Sequence, residues 1–291
     1  MIQAIISRRK IMHPFLVVGN VSIPMYFTMI IIGIAIATLV CIHTAKIYKL
    51  KKRHIAGAGI FAIIGLILGS KLFYAISLIP ELIETWEVVK ATPGESLAYA
   101  FSGYVFYGGL LGILIALFIY SIQFHQHFYR LSNSFIPSIV LAHAFGRIGC
   151  FFAGCCYGFE CEHPFGVTFP LDSDKPGLAG TTRFPVQLLE SAILFILFIV
   201  LIYMADYKKF RKNKKESHPR FDAFIINTRK NLLPFYLISY GIIRFIMEFL
   251  RGDTYRGKFG SFYLSQWISL IIIAVCVFVI CRKRKRSADE A

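Results

Sequence analysis

Seven apolar stretches, each about 20 residues long, constrain this chain more than any other feature of its sequence. A stretch of that length crosses the hydrocarbon core of a bilayer as a helix, which satisfies its own backbone hydrogen bonds. With 56% hydrophobic residues among 291, the chain is too apolar for a soluble domain. The sequence therefore predicts an all-α, polytopic membrane protein of about seven transmembrane helices, forming a single integral membrane domain over residues 1–291. The stretches begin near Ile23, Ile55, Tyr104, Phe135, Val186, Leu233 and Phe262. The third and sixth contain glycines, which suit close contacts between membrane helices.

The distribution of charge predicts how these helices are oriented. The formal net charge is +16, and the basic residues are concentrated in short runs between apolar stretches, which argues against a nucleic-acid partner. A predicted loop around 206–231 holds nine Lys and Arg residues, and a second basic run extends from Arg282 to Arg286. The positive-inside rule places both in the cytoplasm, with the N-terminus outside and an extracytoplasmic loop around 155–185. The N-terminal run from Arg8 to Lys10 opposes this orientation.

Charged residues within the apolar stretches are the first candidates for function, because a charge is costly in a membrane. Arg147 lies in the fourth stretch or just beyond its end, and Glu190 lies in the fifth. Arg244 and Glu248 lie four residues apart in the sixth, so they share a helix face and can pair. One interpretation is that buried ion pairs only hold the helices together. We favour a pair of arginines that binds a lipid phosphate, since the guanidinium fork suits a phosphate and keeps its charge.

Several short runs, spread over most of the chain in a fixed order, are more specific than any one of them alone. They are FYGGLLG (106–112), GRIGCF (146–151), FPVQLLE (184–190) and YGIIRFIMEFLR (240–251), with Tyr26 in the first stretch and Gln266 in the last. Each lies at the predicted outer end of a span. Together they resemble the prolipoprotein diacylglyceryl transferase family, whose signature run begins Gly-Arg-x-Gly-Asn-Phe.

The resemblance implies a reaction and its partners. A diacylglyceryl group moves from phosphatidylglycerol to the lipobox cysteine thiol in the signal peptide of a prolipoprotein, which is the first step of lipoprotein maturation. The product is a thioether, and glycerol phosphate leaves. The resemblance also implies a location in the bacterial cytoplasmic membrane, contact with membrane lipid, and no metal or other cofactor.

The resemblance further suggests which residues act. Arg147 and Arg244 would hold the phosphate and stabilise its charge, and Tyr107 occupies the position of a family histidine assigned as a base. Gly108 and Gly109 would let backbone N–H groups approach the head group. Glu190 and Glu248 would orient the arginines or bind glycerol hydroxyls. The substrate-binding positions are Arg147, Tyr26, Gly108, Gly109, Gln187, Glu190, Glu248 and His143.

The chain departs from the family pattern close to the reacting lipid. Tyr107 replaces a histidine, Cys150 replaces an asparagine and Cys155 replaces a glutamate. The reference pKa of tyrosine is about 10, so tyrosine is a poor base at neutral pH unless an arginine lowers it. His143 lies four residues before Arg147 on the same helix face, and it is either a substitute base or a packed, hydrogen-bonded residue. A second function therefore stays open, that of a paralogous lipid-binding or thiol-dependent membrane protein with the same fold.

The cysteines that follow this arginine have three interpretations. They are Cys150, Cys155, Cys156 and Cys161, with His163 nearby. Their spacing lacks the paired C-x-x-C of structural zinc sites, so it indicates a metal site only weakly. An outer loop lies in an oxidising environment, where Cys155, Cys156 or Cys161 can form a disulfide. We favour the third interpretation, in which Cys150, Cys155 and Cys156 are small apolar residues at a turn beside the lipid head group.

Overall fold

Helices dominate the computed structural model, which describes residues 15–18, 21–162, 166–169, 178, 180–207, 209, 219–253 and 258–289. Among these residues the helices are, in chain order, α1 (Met25–Ile47), α2 (Lys52–Ser77), α3 (Ile79–Glu84), α4 (Trp86–Ala91), α5 (Pro93–Ala100), α6 (Phe106–Gln123), α7 (Phe128–Phe152), α8 (Val186–Ala205), α9 (Pro219–Lys230), α10 (Leu232–Phe249) and α11 (Leu264–Asp289). The described strands form antiparallel pairs: β1 (Phe15–Val18) with β2 (Val21–Pro24), β3 (Val167–Thr168) with β4 (Thr182–Arg183), and β5 (Lys258–Phe259) with β6 (Phe262–Tyr263).

Seven of the described helices are long and apolar enough to cross a membrane. They are α1, α2, α6, α7, α8, α10 and the part of α11 over Leu264–Arg282. Large apolar side chains on α1 and α11 are exposed, among them Ile31 (67%) and Phe278 (65%), as expected of helices that face lipid. More than half of the apolar part of α7 is buried instead. The structure confirms the predicted all-α, multi-pass architecture.

The fourth spanning helix begins earlier than the apolar pattern predicts. α7 begins at Phe128, whereas the sequence placed the start near Phe135. The Ser-Asn-Ser run at 132–134 is buried inside the protein, so its polarity does not prevent a helix there. The helix also continues through Pro137. Proline is tolerated in membrane helices where neighbouring groups satisfy the freed backbone carbonyl.

The predicted loops lie partly outside the described residues. In the loop at 155–185, the described part contains the antiparallel pair of β3 and β4, while 163–165 (with His163), 170–177 and 179 lie outside. In the basic loop at 206–231, the described part contains α9, a helix of 12 residues. The run from Arg8 to Lys10 also lies outside the described residues.

The chain divides into two compact units. One, called the small unit, is Ala45–Ser134 and contains α2 to α6. The other, called the large unit, combines Met1–Thr44 with Phe135–Ala291. It contains most of α1 and α7 and all of α8 to α11.

Glycines bring α2 and α6 into close contact within the small unit. A Cβ on Gly65 would collide with the backbone of Gly112, and a Cβ on Gly69 would collide with the backbones of Gly108 and Gly112. Helix backbones approach each other this closely only where no side chain intervenes, as in the small-residue contacts of membrane helices. This confirms the packing role that the sequence predicts for the glycines of the third stretch.

We expect Gly112→Leu to destabilise the protein by about 1–3 kcal/mol, because the added side chain has no space between α2 and α6. Thermal unfolding in detergent would measure the loss. Gly59→Leu is the matched control, since a Cβ at Gly59 of α2 meets nothing within 4 Å. Equal melting temperatures for the two variants would contradict the packing role.

A backbone junction brings the ends of three helices together in the large unit. After α7, the Gly158 amide donates to the Phe184 carbonyl (3.0 Å), just before α8, and the Phe159 amide donates to the Leu250 carbonyl (3.2 Å), just after α10. A Cβ on Gly158 would lie 2.5 Å from the first carbonyl oxygen and 3.0 Å from the second, so the chain needs glycine here. The junction places the last turns of α7 and α10 beside the first turns of α8.

Candidate active site

The first arginine of the predicted pair, Arg147, is buried in the last two turns of α7. Its Nη2 atom lies 2.9 Å from Oε1 of Glu190, in the second turn of α8, and the two side chains are 8% and 1% exposed. A buried guanidinium persists only with a partner that offsets its lost hydration. Glu190 is that partner, and the ion pair gives its predicted orienting role a geometric basis.

The second arginine, Arg244, pairs within its own helix. Its Nη2 atom lies 2.8 Å from Oε2 of Glu248, one turn further along α10, and the side chains are 8% and 0% exposed. This confirms the pairing that the four-residue spacing predicts. Each arginine thus has one carboxylate, an arrangement that fits a structural ion pair as well as an oriented ligand-binding group.

His143 lies near both arginines. It is one turn before Arg147 on α7 and within electrostatic reach of both Arg147 and Arg244. Its ring packs edge-on against that of Tyr240 on α10, with the centroids 5.3 Å apart. α7 and α10 therefore bring both guanidinium groups to one region of the large unit.

Each arginine retains a nitrogen that its carboxylate does not satisfy. Arg147 Nε and Arg244 Nη1 are buried and have no hydrogen-bond partner among the described residues. A buried donor without a partner costs about 1–3 kcal/mol. Two such donors from two helices suit an anion with several oxygens, and a phosphate accepts charge-assisted hydrogen bonds from arginine particularly well.

Tyr26 and Gln187 approach the same end of α7 from other elements. Tyr26, in the first turn of α1, packs against Gly149, where a Cβ would lie 3.2 Å from the tyrosine ring, and it is within electrostatic reach of Arg147. Gln187, in the first turn of α8, donates from Nε2 to the Cys155 carbonyl at 2.8 Å. Its Oε1 is buried with no hydrogen-bond partner in the described part of the chain. The substrate-binding roles of Tyr26 and Gln187 stay predictions.

Tyr107, Gly108 and Gly109 belong to the small unit, in the first turn of α6. Tyr107 is buried, with 3% exposed. A Cβ on Gly108 would collide with Phe73 of α2, and a Cβ on Gly109 would lie 2.6 Å from Leu66. Helix packing thus accounts for both glycines. Their approach to a lipid head group stays a prediction, as does the catalytic role of Tyr107.

Three cysteine thiols come together after α7. The Sγ atoms of Cys150, Cys155 and Cys156 all lie within 4.8 Å of one another. Cys161 is not part of this group, and its thiol donates to the Glu162 carbonyl at 3.2 Å. None of these four cysteines forms a disulfide within the described part of the chain. Our preferred interpretation, small apolar residues at a turn, did not anticipate the clustering.

Arg251, just after α10, is a further buried cation that was not among the predicted site residues. Its Nη2 and Nε atoms donate to the two carboxylate oxygens of Asp253 at 2.7 and 3.1 Å. Hydrogen bonds from the other two thiols of the cluster lower the pKa of Cys156 well below its usual range, and Arg251 and Arg147 add to that effect, although burial opposes it. The signal for Arg251 in the sequence was its position as the last residue of YGIIRFIMEFLR.

Seven spanning helices define a polytopic membrane protein, and its two buried arginines keep donors that suit an anion. The family model for prolipoprotein diacylglyceryl transferase matches residues 14–282. The phosphatidylglycerol–prolipoprotein diacylglyceryl transferase of Clostridium tetani is 34% identical over 263 residues, which cover 90% of this chain and 94% of the relative. The phosphatidylglycerol–prolipoprotein diacylglyceryl transferase 2 of Clostridium perfringens is 32% identical over 248 residues, covering 85% and 86%. The chain belongs to the prolipoprotein diacylglyceryl transferase family, as its motifs predict.

Proposed function

We propose that this protein transfers a diacylglyceryl group from phosphatidylglycerol to the lipobox cysteine of prolipoproteins, the first step of lipoprotein maturation. Membership of the family supports the reaction. The observation that carries the proposal is the pair of buried arginines on α7 and α10, each of which keeps a donor for an anion. The phosphate of phosphatidylglycerol supplies such an anion in the membrane.

The two arginines act on the leaving group. The acceptor sulfur attacks the glyceryl carbon that carries the phosphate, so that a carbon–sulfur bond forms while the carbon–oxygen bond to phosphate breaks. Glycerol phosphate leaves with the electron pair of that bond. Arg147 and Arg244 donate hydrogen bonds to its oxygens and stabilise the charge that develops there, which lowers the barrier. Glu190 and Glu248 position the two guanidinium groups through their ion pairs.

The proton of the acceptor thiol needs a base, because the thiolate is the nucleophile. Tyr107 and His143 are the two candidates. His143 is supported by its closeness to both arginines, and Tyr107 by its position in the motif that resembles the family's His-Gly-Gly-Leu run. The pH dependence of transfer in His143→Gln and Tyr107→Phe variants would distinguish them. A general base acts only when it is deprotonated, so only loss of the true base removes the fall in transfer rate that its protonation causes at low pH.

The direct test uses the full chain, purified in detergent, with phosphatidylglycerol labelled in its diacylglyceryl group and a synthetic lipobox peptide. We expect the label to appear on the peptide in a thioether, with one glycerol phosphate released per transfer. A peptide with serine in place of its lipobox cysteine is the control. Phosphatidylglycerol binding without transfer would overturn the proposal in favour of the lipid-binding alternative.

The alternative of a thiol-dependent relative is favoured by one observation, the cluster of three thiols. The two functions differ in the group that they require. We expect the variant in which Cys150, Cys155, Cys156 and Cys161 are all replaced by alanine to retain transfer within about tenfold of the original chain, because the arginines supply the stabilisation that lowers the barrier. The labelled-lipid assay would measure it. Loss of transfer in this correctly folded variant would instead assign the chemistry to the thiols.

We further propose that the protein lies in the bacterial cytoplasmic membrane with its N-terminus outside and its C-terminus in the cytoplasm, as the positive-inside rule predicts. A reporter fused after Arg286 should then be active in the cytoplasm, and one inserted near Asp172 should be active outside. The reverse pattern would contradict the orientation and would put the arginines at the other membrane face.

A further inference from the structure

The three thiols of Cys150, Cys155 and Cys156 are brought together by the fold and not by a recognisable sequence spacing. Cys150 lies in the last turn of α7, and the other two follow the helix end. All three residues are partly exposed. Neither the proposed transfer reaction nor the packing of the helices uses this group.

The backbone turns sharply to close the cluster. Gly154 has φ +63° and Cys156 has φ +59°, a left-handed conformation that is uncommon for a residue other than glycine. The Cys155 amide donates to the Cys150 carbonyl at 3.1 Å, and Gln187 binds the Cys155 carbonyl from α8. A non-glycine residue in this conformation carries strain of about 1–3 kcal/mol, which persists where the surroundings require it.

Two basic side chains lie near the three thiols. Arg147 is within electrostatic reach of Cys150 and Cys156, and Arg251 is within electrostatic reach of Cys156. Thiolate is the form in which cysteine binds a metal ion. The two cations also offset the negative charge that three thiolates would leave around a single divalent ion.

We propose that Cys150, Cys155 and Cys156 bind one thiophilic metal ion of the Zn²⁺ class through their three sulfur atoms. Each thiol gives up its proton to solvent as it binds, and the metal is neither oxidised nor reduced. Zinc–sulfur bonds of about 2.3 Å place tetrahedral ligand sulfurs about 3.8 Å apart. The observed separations, all within 4.8 Å, need to shorten by no more than about 1 Å to reach this arrangement.

A metal ion accounts for the cluster better than a disulfide does. A disulfide joins two sulfurs and leaves the third without a role, whereas a single ion uses all three. Within the part of the chain that the structure describes, no fourth Cys, His, Asp or Glu joins the group. Three protein ligands leave one position of a tetrahedral zinc site for water or another small ligand.

The test is metal binding by the full chain, purified in detergent, reduced and stripped of metal. We expect it to bind one Zn²⁺ ion per chain in competition with a chromophoric chelator, and to show sulfur-to-metal charge-transfer absorption when Cd²⁺ replaces Zn²⁺. Cys161→Ser is the matched control and should bind in the same way. Cys150→Ser, Cys155→Ser and Cys156→Ser should each weaken binding at least tenfold. The metal-binding measurement does not depend on lipid transfer, so its failure can be distinguished from failure of the proposed function.

A second measurement needs no variant and therefore does not depend on correct folding of one. Saturating Zn²⁺ should protect Cys150, Cys155 and Cys156 from a thiol-alkylating reagent, as read by mass spectrometry, while Cys161 continues to react. Three results would each overturn the proposal. They are no Zn²⁺ bound by the reduced chain, undiminished binding in all three serine variants, and alkylation of the three cysteines at an unchanged rate with Zn²⁺ present.

Discussion

Exchange of Arg147 for lysine is expected to lower diacylglyceryl transfer about 100-fold or more, although the positive charge is kept. Lysine presents a point charge at the end of a flexible chain, whereas the guanidinium presents a planar fork that meets two oxygens at once. Arg147 already uses Nη2 to bind Glu190 at 2.9 Å, and its buried Nε has no hydrogen-bond partner among the described residues. Loss of one preorganised donor to a developing negative charge typically costs about 100- to 1,000-fold in rate, which is the effect expected here.

The matched control for this variant is Arg130→Lys. Arg130 also uses its guanidinium group, since it donates to the Tyr48 carbonyl from both Nε and Nη2, but it is exposed and lies in the small unit. We expect the control to keep transfer within about twofold. Because the lysine introduced by Arg147→Lys can still face Glu190, that variant should fold and insert into the membrane. Full activity of a correctly inserted Arg147→Lys protein in the labelled-lipid assay would remove Arg147 from the reaction.

Replacement of Arg244 by alanine is also expected to lower diacylglyceryl transfer about 100-fold or more. This variant also leaves Glu248 buried without its cation, which costs about 3–5 kcal/mol of stability. A loss of activity alone would therefore not separate a phosphate-binding arginine from one that only holds the fold. The double variant Arg244→Met with Glu248→Leu separates the two, because replacing both members of a buried ion pair by apolar residues is often neutral or stabilising.

If the pair binds and orients phosphate, the double variant stays folded and inactive. If the pair is purely structural, the double variant stays folded and active, and the proposed role of Arg244 is wrong. Ile242→Met with Ile246→Leu is the matched control, because these residues have the same four-residue spacing on α10 but are exposed. Thermal unfolding in detergent and the labelled-lipid assay, applied to all of these proteins, give the two measurements needed.

Local features of the sequence determined the membrane architecture and part of the site. The seven spans could be read because a bilayer requires about 20 apolar residues in each helix, a requirement that acts on one segment at a time. The Arg244–Glu248 pair could also be predicted from one segment, because residues four apart on a helix lie on the same face. Arg147 was noticed because a charge in an apolar stretch is costly. The reaction was predicted from the family motifs, because the periodicity of apolar residues carries no information about chemistry.

The tertiary structure decided whatever depends on contacts between distant segments. It paired Arg147 with Glu190, 43 positions later in the chain, and brought His143 within reach of both arginines. It buried the polar start of α7, so the helix begins at Phe128. It also gathered three thiols through a left-handed turn at Cys156 that no cysteine spacing signals. The reason is physical: a helix follows from the residues along one segment, whereas the partner of a buried charge or thiol depends on which other segments pack against it.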